Sequence, residues 1–313
     1  MESSLAQSIP ISRMDSGEFT IHEVTSVAEV EEWQAVDHAV WPGAALETMP
    51  VHVLITHQRY GGLLLAARDG AGKMIGALLG FPGLKEGKTI HCSHLLGVLA
   101  DWRGRDVGFH MKRRQREFVM AQNLDLVVWT FDPLETRNAR LNIARLGGIV
   151  REYSRNLYGV GQDGLNQGLE TDRFTISWHI RHPSVIDRLS GRAPAPDPAA
   201  LLAGGVPLLT ETAPRGGASP YPSLEEVKLV AGAPLALIET PANFQALKSA
   251  DPEAARAWRE GLRAIFPPLF AQGYAVINAL RVPDDTLGAR CYYLVGPAEE
   301  YLAGRLTWDR YVV

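Results

Sequence analysis

Three histidines, a cysteine and a loop dense in glycine and arginine fall within one stretch of this 313-residue chain, His91 to Glu117, which reads HCSHLLGVLADWRGRDVGFHMKRRQRE. An imidazole takes up a proton near neutral pH, a thiolate attacks carbonyl carbon, and a strand–loop–helix junction holds anions. All three chemistries are open here. The apolar run Leu95 to Ala100 gives way to the charged turn Asp101 to Gly108, and then to an apolar and basic segment of helical character. A helix starting there presents N–H groups with no intrahelical partner, and its dipole adds partial positive charge. The ligand expected at Arg103, Gly104, Arg105, Asp106, Val107 and Gly108 is therefore a phosphate or diphosphate. Two common phosphate motifs do not fit. A P-loop needs Lys and then Ser or Thr where Gly108 is followed by Phe109 and His110, and the dinucleotide fingerprint needs three glycines where this loop has Gly104 and Gly108.

The strand before the loop carries the other candidates. Strict alternation places Cys92, His94, Leu96 and Val98 on one face and His91 on the other. That arrangement offers a metal two ligands of the three or four zinc wants, so no metal site is expected. Cys92 reads either as a nucleophile paired with His94 or as a small buried hydrophobe.

These residues need a framework to hold them, and the chain order supplies one. Phe19 to Val24 alternates as a strand, and Val27 to Val40 has helical spacing ended by Trp41-Pro42-Gly43. Strands at 62–67 and 74–81 flank the hairpin signal Asp69-Gly70-Ala71-Gly72. A strand over 89–100, the helix after the loop, a strand over 124–132, a helix over 135–146 stopped by Gly147-Gly148, and strands over 149–158 and 174–180 follow. Strand, helices, antiparallel strands, helix, strand is an α/β order without appeal to any motif. Residues 1–17 read as a mobile arm, and 191–223, rich in Pro and Gly, as a linker draped over the surface. Residues 224–313 form a smaller α/β part with a helix over 254–270 that Pro267-Pro268 should kink.

Composition narrows the classes. With 46% hydrophobic and 21% charged residues the chain reads as globular, and a net charge of −4 gives no broad basic field for nucleic acid. Two cysteines, Cys92 and Cys291, do not make a disulfide framework. With no signal-peptide pattern and no run long enough to span a bilayer, the expectation is a cytoplasmic protein without a membrane partner.

Val98 followed by Arg103-Gly104-Arg105-Asp106-Val107-Gly108 resembles the acyl-CoA diphosphate loop of the GNAT superfamily of N-acetyltransferases. The later DPL-x-x-x-NA-x-x-N, over Asp132 to Asn142, and DRF-x-x-x-W, over Asp172 to Trp178, resemble a bacterial branch of that superfamily. The likeness covers roughly residues 18–182. Asp106 departs from the pattern, standing where the family has its first Gly. It tolerates unusual backbone angles, while its carboxylate competes with a diphosphate for the same amides.

The resemblance implies a mixed, mostly antiparallel central sheet with helices on both faces, within a domain spanning 18–190. Residues 224–313 are then a C-terminal extension, read alternatively as a degenerate half of the same fold. It implies acetyl-CoA as co-substrate and a small-molecule or amino-acid-like amine as acceptor, with direct transfer in a ternary complex. By the same mapping Leu96 and Val98 offer backbone N–H groups to the pantetheine arm, and Asn138 contacts CoA. His94 becomes the candidate general base, against the reading of a core histidine. Trp41, His52 and His57 are candidates for the acceptor wall. The family's later helical Tyr is missing from Asn142 to Leu146, so Tyr153 or Tyr158 stands in as the acid, or no dedicated acid exists. Lys112 or Arg113 reaches the ADP phosphates, or else lies on a solvated helix face. The alternative function is a catalytically silent CoA-sensing or structural module, with the C-terminal part as a candidate homodimer face.

Overall fold

The computed structural model describes residues 14–42, 49–159, 170–213, 223–228, 232–284, 289–306 and 308. Most of the expected N-terminal arm, and residues 160–169 between the expected strands over 149–158 and 174–180, lie outside the described residues. The chain divides into two compact units, one ending at Trp129 and the other starting at Thr130.

In the first unit β1 (Met14–Asp15), β2 (Phe19–Glu23), β3 (Leu63–Asp69), β4 (Met74–Lys85) and β5 (Lys88–Val98) form an antiparallel succession. β6 (Leu126–Phe131), which begins in this unit, pairs with β5 in parallel. The β3–β4 hairpin closes as expected, because Asp69 Oδ1 accepts the amides of Ala71 and Lys73 and Gly72 takes a φ of 86°. Between β2 and β3 lie α1 (Val27–Val40) and α2 (Val51–Arg59). Ser26 caps α1 through the Glu29 amide while the Glu29 carboxylate reaches back to the Thr25 amide, satisfying two donors at the helix start. Val30, Trp33 and Val36 of α1 and Leu54 of α2 close over Leu64, Ala66, Ala77 and Leu79. α3 (Val107–Ala121) covers the opposite face, where Met111 and Val107 close over Gly76. Helices thus cover both faces of this mixed sheet, as the resemblance implies.

The second unit begins with α4 (Thr136–Ala139) and continues through β7 (Ile149–Ser154), β8 (Arg173–His179), α5 (Pro183–Leu189), α6 (Pro198–Ala203), β9 (Thr210–Ala213) and β10 (Ser223–Val227). β11 (Ala236–Thr240), α7 (Phe244–Ala250), α8 (Pro252–Ala271), β12 (Tyr274–Val282), β13 (Arg290–Pro297) and α9 (Ala298–Leu302) complete it. Strands β8, β7, β12, β13 and β11 lie side by side in that order, every neighbouring pair antiparallel. Phe174, Phe266 and Tyr293 pack edge to face on one side, and Leu237, Ile277, Leu294 and Tyr292 pack with Leu201 and Tyr301 in a second buried cluster.

Several expectations change here. The helix over 135–146 is four residues of α4 followed by a π-helical turn, Arg140–Arg145. Leu146 N–H bonds Leu141 five residues back, and the buried Arg188 donates to the Ile143 and Ala144 carbonyls beside it. The strand over 149–158 ends at Ser154, so Tyr158 sits in the following turn. Helix α8 runs unbroken through Pro267 and Pro268 because they fall in its last turns, and the Arg263 carbonyl that Pro267 cannot bond accepts Arg155 Nη2 at 3.4 Å. The Pro- and Gly-rich stretch from 191 carries α6 and β9, and buries Leu201, Val206 and Leu209.

Candidate active site

The loop between β5 and α3 is built as an open bend. One 3₁₀ turn, Ala100–Trp102, leads to Gly104 at φ 85° and Asp106 at φ 62°, ψ 10°, both left-handed. Gly104 adopts that region freely, whereas Asp does so at a cost of about 1 kcal/mol. Asp106 precedes α3 without capping it through its side chain, and its carbonyl accepts the His110 amide. The leading amides of α3, Val107 and Gly108 among them, have no carbonyl one turn back to bond and point out of the helix end. Trp102 anchors the bend edge-on to Phe19, and Arg105 lies over the Trp102 ring at 4.9 Å. Arg103 Nε donates to the Val98 carbonyl at 3.1 Å, tying the bend to the end of β5. Arg103, Gly104, Arg105 and Asp106 are exposed.

Upstream the parallel ladder between β5 and β6 consists of His91 opposite Val127 and Cys92 opposite Val128. Beyond Cys92 the two strands part, leaving the β6-side edge of β5 from Ser93 to Val98, with Leu96 and Val98 on it, outside that ladder.

Strict alternation fails on β5. The register against β4 steps between Leu79–Leu95 and Gly80–Ser93, so His94 is an extra residue with no partner opposite, a β-bulge. The bulge reverses the facing of everything after it. His94 lies toward α2, with Phe81 at 5.8 Å, while Leu95, Leu99 and Gly97 face α1 and α2. Leu96 and Val98 therefore face α3, and the single face shared by Cys92, His94, Leu96 and Val98 does not exist.

His94 is exposed at one edge. Crowding by protein, and then the field of a protonated His57, lower its pKa from the ordinary 6.5. A neutral imidazole is the form that accepts a proton. Phe81 stands between the two histidines, 4.9 Å from His57, and beside it opens a cavity of about 320 Å³ lined by His52, Val53, Thr56, His57, Tyr60 and Phe81. Trp41 packs across Gly97, where a Cβ would meet its ring at 3.0 Å. Cys92 is half-buried, and burial pushes its thiol up, away from the thiolate a nucleophile requires.

On the other face of β5 the sequence reading missed a buried polar chain. Gln115 Nε2 lies 3.0 Å from His91 Nε2, and Lys112 Nζ donates to Gln115 Oε1 at 3.1 Å and to Ser93 Oγ at 2.7 Å. Lys112 Nζ also sits 3.5 Å from the Trp129 ring. Burial holds Lys112 well below its usual pKa and takes His91 down to about 3, with Lys112 a second cause for His91. Lys112 points into the first unit's interior, which removes it as a phosphate ligand. The only signal in the sequence was its place one residue after Met111 on the apolar stripe.

In the second unit, Asn138 is exposed on α4. Tyr158 is exposed too, its hydroxyl 3.2 Å from Thr130 Oγ1 and its ring under Arg173. Tyr153 is locked instead, donating to Asp172, and burial, with that bond second, raises its pKa. The motif residues around them are architectural. Asp132 accepts both terminal nitrogens of the buried Arg259, at 2.7 and 2.6 Å, and caps Leu134. Asp172 receives Arg263 and the Asn156 amide, and Trp178 Nε1 donates to the Leu146 carbonyl at 2.7 Å. Among the described residues no three of His, Cys, Asp or Glu gather as a metal site, and no helix is long and apolar enough to cross a membrane.

No protein-family model matches this sequence, and no curated protein matches it. The solved structures it resembles are GNAT-family acetyltransferases. A GNAT-family acetyltransferase from Streptococcus pneumoniae aligns at 13% identity over 51% of this chain and 98% of that one, with a TM-score of 0.43. One from Elizabethkingia anophelis with acetyl-CoA bound aligns at 15% identity over 52% of this chain and 99% of its own, with a TM-score of 0.40. The NatC complex bound to Gag peptide and CoA contributes a chain at 15% identity, 52% and 98% coverage, and a TM-score of 0.42.

Proposed function

We propose that this chain is an acyl-CoA-dependent N-acetyltransferase that transfers acetyl to the amine of a small-molecule or amino-acid-like acceptor by direct transfer. The observation that carries the reading is the bend at Asp106. Its left-handed backbone delivers the chain into α3 without the carboxylate capping the helix, an arrangement in which the leading amides can receive an anion. The left-handed angles also explain the departure from the family pattern, because Asp is among the few residues that accept them in place of Gly.

In this proposal the amides at Val107 and Gly108 hold the diphosphate of CoA, with Arg103 and Arg105 at the rim. The edge of β5 at Leu96 and Val98 takes the pantetheine arm where β5 and β6 part. Acetyl-CoA, once bound, supplies an acetyl group activated as a thioester. An imidazole nitrogen of His94 takes the proton of the acceptor amine, a role its lowered pKa favours at neutral pH. The cavity beside Phe81 and His57 is the proposed acceptor wall. For Asn138 and Tyr158 the family roles are carried over as CoA contact and proton donor, and Asn138→Ala and Tyr158→Phe test them by CoA affinity and turnover.

Calorimetry with acetyl-CoA and CoA, followed by thiol release across an amine panel, tests the reading. Binding together with acceptor-dependent thiol release supports an enzyme. The exposed Asp106 carboxylate, a negative charge at the rim, favours one second reading, a silent CoA-sensing module. Binding without release of thiol would select it, and no binding would remove both.

A further inference from the structure

The second unit contains a concavity of about 120 Å³ that the proposed transfer chemistry does not use. Its floor is a row across three neighbouring strands. In the register of β11, β13 and β12, Thr240 stands opposite Cys291 and Cys291 opposite Arg281, so the three side chains leave the same face side by side. Its roof is the start of α4 and the π-helical turn, where Arg137 and Arg140 are spaced to share a helix face. Thr136 secures roof to floor, with its hydroxyl donating to the Ala242 carbonyl at 2.9 Å. The fields of Arg281 and Arg140 both reach the Cys291 thiol, as does the opposing field of Glu239 from across the sheet.

None of the Arg137, Arg140 and Arg281 side chains has a hydrogen bond or ion pair among the described residues. The nearest strand carboxylate, Glu239, cannot serve them. It sits one residue from Thr240 and so leaves the opposite face of the sheet, where Arg290 holds both its oxygens, at 2.8 and 2.6 Å. Three guanidinium groups thus border one concavity with no carboxylate bonded to them among the described residues, and although water screens these exposed groups, an oxyanion seated among them would offset what repulsion remains. Planar forks of this kind take two oxygens of a carboxylate or phosphate at once.

We infer that the Thr240–Cys291–Arg281 row, roofed by Arg137 and Arg140, is a binding site for a small oxyanion, either a free carboxylate or phosphate or such a group on a larger metabolite. The inference stands whether or not the loop of the first unit takes CoA.

The test is titration of the full chain by calorimetry and thermal unfolding with inorganic phosphate, succinate and uncharged glycerol. The comparison protein is the double variant Arg140→Ala/Arg281→Ala, whose altered side chains are exposed. The wild type is expected to bind phosphate or succinate and not glycerol, with the preferred anion separating the two sources. The double variant is expected to lose affinity by about tenfold or more, given the strength of charge-assisted bonds. Lack of anion binding by the wild type would overturn the inference. Equal binding by the double variant would do so as well, because the anion would then be held elsewhere, for example at the amides of α3.

Discussion

His94 owes its chemical interest to a single inserted position. On a regular strand it shares a face with Leu96 and Val98, but the bulge turns those two toward α3 and leaves His94 on the α2 side, against Phe81 and within the field of His57. If it is the base, His94→Ala should lower turnover by about a hundredfold or more while CoA affinity stays unchanged, since general-base catalysis contributes on that order. Retained turnover in steady-state assays would dismiss it. The acid limb of the rate profile should lie below pH 6.5, because the lowered pKa keeps the imidazole neutral until the medium is more acidic than usual. Asp106 makes a second residue-scale prediction. Glycine there removes both the left-handed strain of about 1 kcal/mol and one negative charge from the rim. Asp106→Gly should therefore tighten CoA binding in calorimetry and raise or preserve the unfolding midpoint. Weaker binding would show that the carboxylate helps the loop. The types of these residues and their order were readable in sequence; the direction of His94 was not, because a register step is a property of two strands.

Elements were legible where the signal was local. The β3–β4 hairpin, the start of α1 and the open bend before α3 each rest on turn or cap residues within a few positions, and each forms where expected. Elements whose form depends on distant partners departed from expectation. The π-helical turn after α4 is buttressed by Arg188, and α8 passes its two prolines near its end, with Arg155 serving one released carbonyl. The motif DPL-x-x-x-NA belongs to this class. Its Asp132 anchors α8 through Arg259, buried at 4% relative exposure. Asp132→Ala should destabilise the protein by about 3–5 kcal/mol, the usual cost of stranding one member of a buried ion pair. Chemical denaturation measures it, and a loss under about 1 kcal/mol would show that water compensates Arg259.

At the scale of the whole molecule, the buried chain through His91 and Lys112 couples global stability to pH. His91 has a folded pKa of about 3 against 6.5 for the free group, so between those values the unfolded chain binds the extra proton. Stability should fall as pH drops below 6.5, by up to about 1.4 kcal/mol per pH unit from this ring alone. Lys112, lowered by burial, acts in the same sense, adding stability as pH rises toward its unfolded 10.5. His91→Leu should cost stability in mildly alkaline solution yet flatten the slope between about pH 5 and 6.5, the window in which the ring is neutral only when folded. An undiminished slope in denaturant titrations would place the dependence on other groups.

By itself the sequence determined an α/β chain, the order of its elements as far as β8, and a strand–bend–helix junction fit for an anion. Those features follow from periodicity and turn chemistry among near neighbours. Only the tertiary structure decided where His94 points, where β5 leaves β6, that Lys112 lies inside, and that Arg137, Arg140 and Arg281 surround one concavity. Each of these depends on which distant segments pack together, and a register step or a shared cavity leaves no periodic trace along the chain.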